Sequence, residues 1–376
     1  VRRVRLQPDR AGDIIEIVIA NLFHAWERRL HATSKDRVVR PFEWGLDWIE
    51  LNGHPPDAPP ERILLEWASH AVADSHRFFE TPDTSDYTLR PGAGATGALS
   101  FPSAMQTRYP ENNTVHALYF RAGSQEQDPA HVRRAGPVLR TRPPQRRAVL
   151  VLPQWNAGPD GHVGLCRLLN HFGMSALRLT LPYHDARRPP ELTRADYIVS
   201  ANIGRTVQAC RQAVMDARRA ITWLVKQGYE SIGILGTSLG SCLSLLTAAH
   251  EPRIRAQALN HISPYFADVV WRGLSTTHVQ QSLVGAVDLE RLRQLWLPIS
   301  PHVYLDRVRD KKTLLVYAKY DLTFPVDLSR ELVREFQRRG IPHELAVLPC
   351  GHYSTGVTPF KFLDGFVLAR FLDRNL

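Results

Sequence analysis

Ser231-Ile232-Gly233-Ile234-Leu235-Gly236-Thr237-Ser238-Leu239-Gly240-Ser241 is the stretch on which the reading of this chain turns. Ile232 to Leu235 is a short apolar run, as in a buried strand. Gly236-x-Ser238-x-Gly240 follows at once, and Leu239 to Ala249 is apolar and compatible with a helix. Strand, glycine-flanked serine and helix together describe a sharp turn. Side chains at the flanking positions would clash across it, and the serine hydroxyl would stand above the sheet edge at a helix N-terminus. The same pattern also fits a tight turn with a capping serine, so its neighbours must decide.

From Ala148 onward, strand and helix patterns alternate, the signature of a parallel sheet in an α/β fold. Strands are expected at 148–152, 175–181, 231–235, 256–261, 313–318 and 343–348, with helices near 162–172, 205–227, 239–250, 327–339 and 358–375. Two earlier strands are expected at 99–104 and 114–121, and a long polar loop at 122–147. The segment 263–308 interrupts the rhythm between two strands and is rich in large apolar residues, which predicts an inserted helical cap. Ahead of residue 99 the chain reads as a helical N-terminal extension (1–98). One helix, from about Asp13, carries Ile15, Val18, Ile19, Leu22, Trp26 and Leu30 as a stripe at helical spacing, and a second begins near Pro59. This layer is expected to pack on the body and to take no part in chemistry.

Composition narrows the classes. At 376 residues and 44% hydrophobic content the chain can bury a large core. The net charge of +10 is almost all arginine, scattered rather than striped with aromatics, so a solvated basic surface is expected and not a nucleic-acid interface. Cys166, Cys210, Cys242 and Cys350 form no Cys-x-x-Cys pair, which fits free thiols in a reducing compartment. No run reaches the ~20 apolar residues of a membrane span, and Val1-Arg2-Arg3-Val4-Arg5 lacks a signal-peptide core. A cytoplasmic protein without stable membrane insertion is expected. No cluster has metal-ligand spacing and no nucleotide fingerprint follows a strand, so neither metal nor cofactor is expected. Oligomeric state is not legible.

A serine hydroxyl is a poor nucleophile at neutral pH and needs a base with an orienting acid behind it. In such a sheet these follow in the order acid, then histidine, each beyond a strand's carboxyl end. Tyr320-Asp321-x-x-x-Pro325 and Gly351-His352 stand at those places. Asp268 is the second candidate acid and Asp327 the third. As a plain loop residue, Asp321 would make an Asx-turn before Pro325.

On these residues the chain from about Leu99 to its end resembles the α/β-hydrolase superfamily. Leu179-Thr180-Leu181-Pro182-Tyr183-His184 and Phe42-Glu43-Trp44-Gly45-Leu46 are similar to a group of these hydrolases with a helical N-terminal extension. The resemblance implies a mostly parallel twisted sheet flanked by helices. It implies Ser238 as nucleophile, His352 as general base and then acid, and Asp321 as its orienter. The backbone N–H of Leu239 would be one oxyanion donor. The other would come from Pro153-Gln154-Trp155-Asn156, where many relatives carry His-Gly; by that alignment it is Trp155, with Gln154 next. Tyr265 and Trp271 of the cap are candidate substrate contacts. His184 either contacts substrate or fixes its loop. The expected activity is cleavage of a small-molecule carboxylic ester through an acyl-enzyme. Amide or thioester cleavage uses the same groups, and a non-catalytic binding protein on this fold is the reading from a different class.

Overall fold

The computed structural model describes residues 10–50, 58–92, 96–123 and 146–376. One nine-stranded sheet forms its centre: β1 (Thr88–Pro91), β2 (Thr96–Pro102), β3 (Thr114–Phe120), β4 (Arg147–Leu152), β5 (Ser175–Leu179), β6 (Ser231–Thr237), β7 (Ile254–Asn260), β8 (Lys312–Ala318) and β9 (Glu344–Leu348). The spatial order is β1-β2-β3-β5-β4-β6-β7-β8-β9. From β1 to β5 the pairs are antiparallel, and from β5 through β9 they are parallel. β4 therefore sits at the topological switch, and the strands on either side of it open a crevice at their carboxyl ends.

The inner strands are apolar on both faces because helices cover both. On one face α5 (Ile203–Lys226) and α6 (Leu239–His250) pack over Leu150, Leu177 and Ile234. On the other, α4 (Val163–His171) and α11 (Phe360–Asn375) cover Val149, Val151 and Leu235. α10 (Val326–Arg338) buries Leu332, Val333 and Phe336. Between β7 and β8 lie α7 (Phe266–Arg272), α8 (Thr277–Leu283), α9 (Leu289–Leu295) and short 3-10 turns, the helical insertion expected at 263–308.

The chain ahead of the sheet carries α1 (Arg10–His31), α2 (Pro60–Ala73) and the single turn α3 (Ser75–Phe78). Gly45 anchors this layer to the body. It has φ +70°, and a Cβ there would collide with the Asn202 side chain, while one on Gly204 would strike the Gly45 carbonyl. Only glycines allow residues 43–45 to lie this close along the start of α5, where Glu43 and Asn202 form a parallel bridge.

The N-terminal part differs from the expectation in two ways. β1 pairs with β2 across the 98/99 boundary, so the expected extension includes sheet; all four β1 residues are exposed, leaving no alternation to read. The stripe on α1 is not its packed face: Ile15 is 60% and Leu22 66% exposed, while Glu27 is wholly buried. The helix is tied down through its second half, where Phe23 stacks on Tyr320 at 4.5 Å. The loop expected at 122–147 falls largely outside the described residues. No described helix is long and apolar enough to cross a membrane.

One buried ion pair locks the antiparallel strands to the crevice. Arg187 and Asp216 are fully buried and 2.8 Å apart. Arg187 also donates to the carbonyls of Thr180 and Asn112, and Asp216 accepts from Ser103 Oγ and the Ala104 N–H. Removing one partner leaves the other charge buried and unpaired. Asp216→Ala is therefore expected to lose about 3–5 kcal/mol of stability in denaturant unfolding; an unchanged midpoint would remove the pair from this role.

Candidate active site

The carboxyl ends of the six parallel-paired strands all point to one edge. Beyond them stand Gln154 and Trp155 after β4, His184 after β5, Ser238 after β6, His261 after β7, Asp321 after β8 and His352 after β9. Ser238 occupies the turn between β6 and α6 at φ 58°, ψ −119°. A left-handed φ on a non-glycine residue is strained and persists only when its surroundings hold it. Here the Ser238 N–H donates to the Asn260 carbonyl at 2.8 Å, and the Ser241 hydroxyl lies 2.6 Å from the Ser238 carbonyl. Neither flanking glycine has a positive φ. Their requirement is space: a Cβ on Gly236 would collide with the Gly240 carbonyl, and one on Gly240 with the Leu152 carbonyl.

Asp321 is buried, and its two oxygens have separate tasks. Oδ1 accepts the Thr323 and Phe324 N–H groups at 2.8 and 2.7 Å, which is the Asx-turn. Oδ2 accepts Nδ1–H of His352 at 2.9 Å and Nδ1–H of His261 at 2.9 Å. The two imidazoles lie 4.6 Å apart, and His352 is stacked on Phe324. Burial opposes ionisation of Asp321, but the two imidazoles outweigh it and hold the carboxyl well below its usual range. Burial also pulls His352 down, yet Asp321 and Glu27 overcome it and the net shift is upward. His261, buried and beside His352, shifts downward. These three residues have ligand-type atoms within 4.8 Å of one another. Both Nδ1 atoms already bond the one Asp321 oxygen, so this grouping is accounted for by hydrogen bonds.

Glu27 is the residue that sequence reasoning missed. From α1 its buried carboxylate accepts the Tyr353 N–H at 2.8 Å and the Ser354 N–H at 2.9 Å, so it grips the loop that carries His352. Gly351 is needed because any Cβ would collide with the Glu27 carboxylate. Followed by Arg28 and Arg29, Glu27 reads as a surface residue, and no local pattern signals otherwise. The N-terminal layer thus reaches the site, against the expectation that it only packs.

A cavity of about 1020 Å³ opens over the serine, with Gln154, Trp155, Ser238, Leu239, Tyr265 and His352 in its wall. In the β4–α4 loop the Asn156 N–H donates to His184 Nε2 and the Ala157 N–H to the Gln154 carbonyl. The N–H groups of Gln154, Trp155 and Leu239 have no partner among the described residues. Leu239 opens α6, so its N–H is one of the unsatisfied donors of that helix.

Other candidates land elsewhere. His184 is buried, with Nδ1 on the Pro182 carbonyl and Nε2 on Asn156; it fixes the loop and is not in the cavity wall. Trp271 packs half-buried on the apolar core and is likewise not in that wall. Tyr265 is in the wall, stacked on His302. Asp268 is occupied by Arg293 at 2.7 and 2.8 Å, and Asp327 by Arg272. His162 stands at the N-cap position of α4, and its side chain bonds the Thr237 hydroxyl instead of the helix. All four cysteines are free and buried; burial pushes the Cys242 thiol up, which leaves it un-ionised although it borders the cavity.

Burial drives His184 and His162 down to about 4. NMR titration of the histidines should find these two neutral to near that pH, and His352 titrating above the ordinary 6.5. The linkage has opposite signs. His352 stabilises the fold below 6.5 and loses that contribution as pH rises through its folded pKa. His184 costs stability as pH falls below 6.5, because only the unfolded chain takes up its proton. His352 titrating below His184 would contradict this electrostatic picture.

No protein-family model matches the chain, and no curated protein sequence matches it. Among solved structures it resembles the acetyl xylan esterase of Paenibacillus sp. R4, with TM-score 0.56 and 13% identity over 87% of this chain and 98% of that one. Acetyl xylan esterase 1 of Thermoanaerobacterium sp. JW/SL YS485 gives TM-score 0.53 and 13% identity over the same shares, 87% and 98%. The acylaminoacyl peptidase of Pyrococcus horikoshii gives TM-score 0.56 and 13% identity over 77% of this chain. The match covers only 42% of that peptidase's length. With its sheet order and these structural neighbours, the chain has the α/β-hydrolase fold.

Proposed function

We propose that the chain is a serine hydrolase that cleaves a carboxylic ester through an acyl-enzyme, with 99–376 as the hydrolase unit. The observation that carries this reading is the joint presence of a strained, cavity-facing Ser238 and of His352 held through Nδ1 by a buried carboxylate. Bonding at Nδ1 fixes the tautomer and leaves Nε2 as the proton acceptor. Ser238 Oγ attacks the ester carbonyl as its proton passes to His352 Nε2. The Leu239 and Trp155 N–H groups, with Gln154 beside them, receive the developing oxyanion. The imidazolium, stabilised by Asp321, gives its proton to the departing alkoxide. Water, deprotonated by the same imidazole, then frees the acid.

An ester is favoured because an alkoxide asks less of the site than an amide nitrogen. Esterases among the structural neighbours support the same choice, and the peptidase keeps amide cleavage as the second reading. Tyr265 from the α7 segment and Arg37 from the chain after α1 border the cavity, so the insertion and the N-terminal layer both shape what enters.

Against a panel of para-nitrophenyl esters, Ser238→Ala and His352→Ala should each lower kcat by about 10⁵–10⁶. Asp321→Asn should lower it by about 10⁴, while Asp268→Asn stays near normal because its carboxylate serves Arg293. A larger loss at Asp268 than at Asp321 would overturn the acid assignment. A folded chain that turns over no ester would favour a binding protein on this fold.

The pH profile has a definite sign. Protonated imidazole cannot accept the serine proton, so kcat/KM should rise with pH through the upward-shifted pKa of His352. Glu27→Gln removes one of the charges that raises it and should move this limb to lower pH. A limb that does not move would remove Glu27 from the electrostatics of the site.

A further inference from the structure

The cavity wall is positively charged in a way the hydrolytic chemistry does not require. Its cations are Arg37, Arg167, Arg194 and Lys361, and its carboxylates are Asp160 and Asp364. Burial pushes Asp364 up to about 7, which weakens it as a counter-charge. Arg37 and Arg194 form the densest part. Arg37 Nη1 is held by the carbonyls of His31 and Ser34 at 3.0 and 2.7 Å, and Nη2 lies 3.5 Å from the Tyr353 hydroxyl. No carboxylate among the described residues is within ion-pair distance of Arg37. Arg194 donates from Nη1 to Asp36 at 2.9 Å, and its Nε lies 3.4 Å from Asp196. Asp196 is shared with Arg40 at 3.1 Å. The Arg194 Nη2 has no hydrogen-bond partner among the described residues.

Both guanidiniums act on the same two histidines. His278 is pushed down to about 4 by burial, then by Arg194, with Arg37 adding to it. His31 is lowered by burial, Arg37 and Arg194. Both imidazoles therefore stay neutral and leave the charge balance to the arginines and carboxylates, and both ring nitrogens of His278 are buried without a partner among the described residues. Three guanidiniums (Arg37, Arg40, Arg194) face two carboxylates (Asp36, Asp196), which leaves one positive charge over. Trp155 ties this cluster to the reaction centre: Arg194 lies 5.3 Å from its ring, His278 stacks on it at 5.8 Å, and its backbone N–H is a candidate oxyanion donor.

We propose that the cavity takes an ester bearing a carboxylate, and that Arg37 and Arg194 bind that carboxylate beside the Trp155 loop. The surplus of one charge matches a single carboxylate, and guanidinium forks match its planar geometry. A cation left without a counter-charge in a partly closed wall is costly, and an anionic substrate offsets that cost. This proposal rests on the hydrolase reading and names its substrate class.

The test uses charge-matched pairs. On the acyl side, the mono-para-nitrophenyl ester of adipic acid is compared with para-nitrophenyl hexanoate, which has the same six-carbon acyl length. On the alcohol side, para-carboxyphenyl hexanoate is compared with its methyl ester. In one of the two pairs kcat/KM should favour the charged ester. That preference ratio should fall by about tenfold or more in Arg37→Gln and in Arg194→Gln. In the wild-type protein, independent of any folding defect, it should shrink as NaCl rises from about 0.05 to about 0.5 M. Turnover of the neutral esters without preference for either charged one would overturn the carboxylate site and leave the hydrolase reading intact. So would a preference that both variants and salt leave unchanged. Turnover of none of the four esters would sink the hydrolase reading and the carboxylate site with it.

Discussion

The close approach of Gly240 to the end of β4 is the contact on which the site depends. A helix cannot begin directly after β6 and pass beneath the Leu152 carbonyl if residue 240 carries a side chain. Because that space is empty, α6 starts within a residue of the strand. Ser238 is lifted into a left-handed conformation, and the free N–H of Leu239 comes to border the same cavity as the Gln154–Trp155 loop. Strain at Ser238 is held by the Asn260 carbonyl and the Ser241 hydroxyl. Packing thus sets the backbone, and the backbone sets where the hydroxyl stands.

Around that turn, two buried carboxylates organise the histidine loop from opposite sides. Asp321 fixes the imidazole of His352 through Nδ1, and Glu27 fixes the backbone just after it through two N–H groups. Both favour the protonated ring, so they orient the histidine and raise its affinity for a proton at once. The second imidazole on Asp321, that of His261, is buried and shifted downward, so it donates one hydrogen bond without competing for the charge. On the other side of the serine, after β5, His184 accepts the Asn156 N–H through Nε2 and so supports the loop that carries Gln154 and Trp155.

The parallel half of the sheet was legible because each strand there is a compact apolar run followed by a polar loop. Ser238, Asp321 and His352 each sit just past such a run, so their arrival at one edge follows from topology. What was illegible depends on partners distant in sequence. Glu27 looks solvent-facing beside Arg28 and Arg29, and only the docking of α1 on the 351–354 loop buries it. His184 gave two readings because its position after β5 fits both substrate contact and loop support; the bonds on both nitrogens decide for support. The stripe on α1 has helical spacing, yet spacing does not say which face meets the body. β1 has no buried residue, so its strand came without a signal.

The central claim is that Ser238 is a nucleophile activated by His352. The most direct measurement is labelling with a fluorophosphonate, located by mass spectrometry of the digested protein. The account predicts one adduct per chain, on the peptide containing Ser238, formed far more slowly in Asp321→Asn and not at all in Ser238→Ala. A folded protein that stays unlabelled, or one labelled elsewhere at the same rate in Ser238→Ala, would contradict it.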